Sequence, residues 1–280
     1  MPKPDLSGHV IGKRRVGIRL MSLISHLHIA GRMPIRGSQK LLEALCDLHL
    51  GLGDITGILH AVARHGQPEV EKIHQAIRCC PTANVDETGW REDGKNGYAW
   101  GFCTPEERYF VRGGRSGQVA KDVLGEDYGG VVVSDFYSGY NALLSRHQRC
   151  WVHLLRDLKK LVEDNPENRG VAIWAGKVKA IYKRAKRYES EDPKARLRQR
   201  IAYQEELSRL ARPQRVLAKR IETFLPEMFM FVEHWVGVIY PAVQDCDDHG
   251  RVAHGDVPSL LRAQRLKLGL REGKARIVRR

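Results

Sequence analysis

The sequence has no apolar stretch long enough to cross a membrane as a helix. The longest late run, residues 235–243, contains Pro241 and falls far short of the roughly 18 residues such a helix requires. An export signal is excluded on similar grounds, because residues 16–30 are interrupted by Arg19, His26 and His28. The six cysteines, Cys46, Cys79, Cys80, Cys103, Cys150 and Cys246, have no regular spacing, which excludes a disulfide framework and implies reduced thiols in a cytoplasmic protein. Acidic residues are in deficit, 33 against 47 lysines and arginines, for a net charge of +14. That balance favours a polyanionic partner, nucleic acid first, and solubility, ribosome contact or membrane-surface contact would give the same charge. There is no internal repeat and no low-complexity segment.

What is present in 280 residues is enough to bury a core without staples. Residues 1–37 are basic and glycine-containing, the composition of a loosely ordered arm. From Ser38, a good N-cap, Leu41, Leu42, Leu45, Leu48 and Leu50 recur near helical spacing. After the Gly51-Leu52-Gly53 turn, Asp54 can cap a second helix with Ile55, Ile58, Leu59 and Val62. Residues 38–80 therefore read as a helical segment, either a helix-turn-helix that holds DNA or an ordinary helical hairpin.

Strand character follows. Residues 83–86, 98–103 and 108–111 are short, β-branched or aromatic, and separated by turn residues. A helix over 118–124 precedes Val131-Val132-Val133, a run suited to a strand buried on both faces. A helix over 140–146 and a strand over 149–152 complete the order βββαβαβ. From Leu154 to about Phe231 the chain has helical composition. Residues 183–220 carry 13 basic against 5 acidic residues, and Arg184, Lys186, Arg187, Arg196, Arg198 and Arg200 are candidates for phosphate contacts.

Asp86 follows Val85 and Asp135 follows the valine run, so both carboxylates are expected at strand ends. Carboxylates so paired suit a hard divalent cation, Mg²⁺ or Mn²⁺, of the kind that assists phosphoryl displacement. The alternative is that each aspartate only caps a turn. Cys150 and His153 have ligand-like spacing, but two ligands do not close a tetrahedral zinc site, and the adjacent Cys79-Cys80 pair has the wrong spacing to complete it. Cys150 reads as a small buried residue. His153 is either a structural histidine or a contact to the scissile phosphate. Trp90 and Trp151 are either core residues or stacking surfaces for an unpaired base.

Three blocks share a resemblance: Asp86-Glu87-Thr88-Gly89-Trp90 with Gly94-Lys95-Asn96-Gly97, then Val133-Ser134-Asp135-Phe136-Tyr137-Ser138-Gly139-Tyr140, then Cys150-Trp151-Val152-His153-Leu154-Leu155-Arg156-Asp157. Together with Phe224-Leu225-Pro226 and Phe231-Val232-Glu233-His234, they resemble the insertion-sequence-66 family of bacterial transposases. The resemblance implies an RNase H-like α/β core over 81–157, with a mixed sheet and with Asp86 and Asp135 as the first two metal ligands. It implies a basic helical insertion over 158–234 and a DDE-type enzyme that cuts and joins DNA, working on element ends and target as a homo-oligomer. A DNA-binding remnant without chemistry, or a nuclease on the same fold, would carry the same blocks.

After His234 the resemblance stops. The family's Asn-Asn-x-x-Glu-Arg segment, whose glutamate is the third ligand, is not found in the sequence, and residues 235–280 form an unassigned basic tail. A truncation or frameshift near residue 234 is the expectation. Asp245 is the candidate substitute for the third acid.

Overall fold

A computed structural model describes residues 16–92, 94–210 and 215–234. Those residues divide into two units, one reaching to Ile73 and one beginning at His74.

The first unit is built from α1 (Ile18–Ile29), α2 (Ile35–Cys46) and α3 (Leu52–His65). Met21 and Ile24 of α1, Leu42 of α2, and Ile55, Ile58 and Ala61 of α3 close one apolar core. The segment whose composition suggested an arm thus contains a packed helix, because Met21 and Ile24 lie one turn apart and share a face. Ser38 does not cap α2. Pro34 occupies that position, and Ser38 is buried within the helix. The break before α3 comes earlier than the Gly-Leu-Gly turn: Asp47 ends α2 in the left-handed region, and Gly51 precedes α3 with its N–H donated to Asp54 Oδ2 at 3.0 Å. Leu45, read as part of the apolar face, is exposed.

Helix α4 (Gln67–Cys79) runs across the division. In the second unit, β1 (Thr82–Glu92), β2 (Lys95–Cys103) and β3 (Arg108–Gly113) form an antiparallel meander, and β4 (Val131–Ser134) and β5 (Arg146–Arg149) add in parallel beside β1. The strand order β3-β2-β1-β4-β5 is compatible with an RNase H-like fold. Strand β1, with 11 residues, is far longer than the expected 83–86. Gly89 pairs with Tyr98 inside the ladder, and the break falls at Gly94, whose φ of 79° turns the chain into β2. Four-residue β4 pairs only with the first part of β1, so β1 runs on past the end of its parallel neighbour.

The last strand corrects the expectation of a strand over 149–152. Strand β5 is Arg146-His147-Gln148-Arg149, and Trp151 already begins α6 (Trp151–Glu163). Arg146 is exposed, and the polar residues that follow it are buried, with Gln148 and Arg149 hydrogen-bonded across the fold. Gln148 Nε2 donates to the Met228 carbonyl at 3.0 Å, and Gln148 Oε1 accepts from Phe231 N–H at 3.0 Å. The helix expected over 140–146 is instead a short 3-10 turn, Ser138–Ala142.

The sheet alternation puts Val131 and Val133 on one face. There they join a core with Trp151, Leu154 and Leu158 of α6, with Trp174, Val178 and Tyr182 of α7 (Arg169–Lys186), and with Tyr203 and Leu207 of α8 (Pro193–Ser208). Helix α9 (Arg215–Phe224) and the short α10 (Met230–Glu233) complete it with Ile221 and Phe231. Trp151 is a core residue, stacked on Tyr182 at 4.7 Å between centroids. On the other face, Trp100 meets Tyr140 edge-on at 5.7 Å and His74 stacks on Tyr109 at 4.8 Å. Helix α5 (Gly117–Leu124) lies against the 3-10 turn.

Candidate active site

Asp86 and Asp135 come together through register. Strand β1 pairs with β4 as Thr82 with Val131, Ala83 with Val132 and Asn84 with Val133. The pairing ends there; two residues on, Asp86 lies on the β1 face of Asn84, and Asp135 is the residue that follows the end of β4. Asp86 lies inside β1, paired with Gly101 of β2, and not at a strand end as expected. Asp135 does follow the strand β4, where its Oδ1 accepts the Tyr137 N–H at 2.8 Å and so fixes the turn that leaves the sheet.

Glu87 points to the opposite face, as its neighbour on a strand must. Its side chain is only 3% exposed, and Tyr140 Oη donates to Glu87 Oε2 at 2.5 Å while Arg115 pairs with Oε1 at 3.2 Å. Burial raises the Glu87 carboxyl above its ordinary value, the Asp135 charge adding to the effect while Tyr140 and Arg115 oppose it. Burial first, then Glu87, with Asp86 and Asp135 behind it, push the Tyr140 phenol far upward. Tyr140 therefore remains a hydrogen-bond donor throughout the physiological range, beside three carboxylates.

The first turn of α6 supplies the other side. Cys150, partly exposed, precedes it and donates its N–H to the Ser134 carbonyl at 2.7 Å, which ties the helix start to the strand carrying Asp135. His153 is held below its ordinary value by burial and by the Arg156 cation, against the pull of Asp135 and Asp157. It is a neutral imidazole at pH 7, and its Nδ1 is buried without a hydrogen-bond partner.

The donor set fits a hard divalent cation. Asp86 and Asp135 offer carboxylate oxygens from adjacent strands, and Asn84 Oδ1, two residues before Asp86 on the same face, is buried with no partner. Among the described residues no three of His, Cys, Asp and Glu converge on one ion. Asp245 lies outside the described residues.

The basic candidates fare unevenly. Arg184 pairs with Glu206 and lies over the Tyr203 ring, Arg198 reaches Asp192 at 3.5 Å, and Arg200 reaches Glu233 at 2.6 Å. Arg196 donates to the main-chain oxygens of Glu233 and Ser190 at 3.0 and 3.1 Å. Arg184, Arg196 and Arg200 tie α8 to its surroundings, and Arg198 reaches only the residue that caps its own helix. Lys186 is half-buried at the end of α7 and Arg187, which follows it, is exposed. None of the six is among the charges acting on Glu87, Tyr140 or His153.

Residue-by-residue reading missed Glu87, Tyr140, Arg115 and Arg156. Strand alternation across Asp86-Glu87 was the available signal for Glu87. The others are brought in by turns and by a helix face.

No described helix is long and apolar enough to cross a membrane. No match is found among the curated proteins. The model of the Transposase IS66 family matches residues 13–226, which include both aspartates, the 3-10 turn and all of α6. That match covers well over half of the 280 residues and supports a transposase role, and the chain belongs to the IS66 family of transposases.

Proposed function

We propose that this chain is a DDE-type transposase that acts on DNA through a divalent cation, Mg²⁺ or Mn²⁺, held by Asp86 and Asp135, with the ends of an element and a target duplex as its partners. The parallel register of β1 and β4, whose last pair, Asn84 and Val133, precedes Asp86 and Asp135 by two residues each, is the observation that supports the reading. Such a cation, when bound, supplies charge neutralisation and water activation for phosphodiester cleavage and joining. Asp135 enters the site from a turn fixed by its own side chain, and Asp86 from a strand hydrogen-bonded on its β2 edge. Both carboxylates are therefore set before a ligand arrives, which is the condition for productive positioning. Tyr140 and Arg115 hold Glu87 on the other face, and this keeps a third carboxylate next to the pair from competing for the same cation.

Titration of the full chain with Mn²⁺ by calorimetry tests the assignment. Binding is expected in the wild type and is expected to be lost in Asp86→Asn and in Asp135→Asn, with far-UV circular dichroism unchanged. A folded Asp135→Asn chain with wild-type Mn²⁺ affinity overturns it.

A further inference from the structure

Arg156 is a half-buried cation, two of whose nitrogens the fold leaves without a partner. Its Nε and Nη2 are shielded from solvent and have no hydrogen-bond partner. The contrast with Arg149 is direct, because that fully buried guanidinium reaches Glu227, Ser134, Asn141 and the Asp135 carbonyl. Where the fold uses a buried arginine as a structural tie, it supplies acceptors. The carboxylate next to Arg156 in sequence, Asp157, is taken by Arg220 from α9. Two guanidinium nitrogens desolvated without an acceptor are costly to keep, and the fork of N–H donors matches the oxygens of a phosphate.

His153 lies three residues earlier on α6, so the two side chains share a helix face. Its Nδ1 is likewise buried and unpartnered. Asp135 and Arg156 both act on the charge of this imidazole, so the pair stands beside the carboxylate site. The helix start is pinned there by the Cys150 N–H to the Ser134 carbonyl.

We propose that Arg156 and His153 form a phosphate-binding subsite beside Asp135 that receives one phosphodiester of bound DNA. The proposal rests on the reading of the chain as a DNA-acting transposase. Solvent does not reach Nε and Nη2 in the free chain, so the Arg156 side chain swings outward to present them to the non-bridging oxygens, and His153 adds one ring nitrogen. Both are positioning residues: they hold the DNA backbone against the Asp86 and Asp135 pair and move no proton.

Thermal unfolding of the full chain with and without inorganic phosphate, at chloride-balanced ionic strength, is the first test. Wild-type Tm is expected to rise saturably with phosphate. In Arg156→Met the phosphate-dependent rise is expected to vanish, and the phosphate-free Tm to equal or exceed wild type, since an unpaired buried charge has been removed. A structural arginine would give the opposite result, so a lowered phosphate-free Tm, or a phosphate response equal to wild type, overturns the proposal. His153→Gln keeps Arg156 and is expected to weaken the response, and no weakening in either variant is equally fatal.

The second arm measures anisotropy of a labelled duplex, where loss of one charge-assisted contact is expected to weaken binding by about tenfold or more. Unchanged duplex affinity in Arg156→Met, with the phosphate response lost, overturns the assignment of the subsite to DNA. A wild-type chain that shows the Arg156-dependent phosphate response but does not bind duplex at all overturns the transposase reading itself.

Discussion

Arg149 Nη1 donates to the main-chain carbonyl of Asp135 at 2.9 Å from a side chain with no solvent exposure. The same guanidinium pairs with Glu227, donates to Asn141 Oδ1 at 2.6 Å and lies 4.4 Å from the centre of the Phe224 ring. One residue of β5 thus holds the turn after β4, the 3-10 turn and the segment before α10 in a single arrangement. Arg149→Met strands Glu227 and the carbonyl, and is expected to cost about 3–5 kcal/mol. Urea unfolding with an unchanged m-value checks this.

Helix α5 touches the 3-10 turn through bare backbone. A Cβ on Gly117 would sit 2.1 Å from the Gly139 carbonyl oxygen and 2.9 Å from Ala142 Cβ, and neither neighbour is a flexible side-chain end. Gly117→Ala is expected to push the turn away and to destabilise by about 1–3 kcal/mol, the usual range for overpacking. The Tyr140 ring rides on that turn, so weakened near-UV circular dichroism is expected alongside the lower Tm.

Stability should fall on mild acidification. Burial holds His147 below its ordinary value of 6.5, and the Arg149 cation adds to the effect while the Leu143 carbonyl and Glu227 oppose it. The native imidazole is then neutral where the unfolded one takes a proton. Its contribution is complete above about pH 6.5 and is lost as pH falls from there toward the folded value, with a slope of at most about 1.4 kcal/mol per pH unit. Urea midpoints between pH 7.5 and 5 are expected to decline, and His147→Gln is expected to flatten part of that decline.

Duplex binding by a chain of net charge +14 is expected to be dominated by counterion release. A plot of log affinity against log salt should be linear and steep, with little dependence on duplex sequence. A flat plot would show that phosphate neutralisation is not what holds the DNA.

The residues themselves made several features legible. Val131-Val132-Val133 suited a strand buried on both faces, and all four residues of β4 are buried. The aspartate after it, and the glycine turn at residue 94, followed from local chemistry. Other elements were hidden for a physical reason: their character is set by partners far along the chain. From sequence the last strand falls over 149–152, because Arg146-His147-Gln148-Arg149 has no apolar pattern and is a strand only once Met228 and Phe231 supply the hydrogen bonds for Gln148, and Glu227 the charge for Arg149. Helix α1 reads as an arm until Ile55 and Ile58 give Met21 and Ile24 something to pack on. For the site, sequence alone determined which carboxylates are present and the turn that follows Asp135. Only tertiary structure decided that β1 continues past β4, so that Asp86 lies within the sheet while Glu87 turns to the other face. Only it left two nitrogens of Arg156 shielded without an acceptor, since register and desolvation are properties of the assembled sheet and helix and not of any stretch of chain.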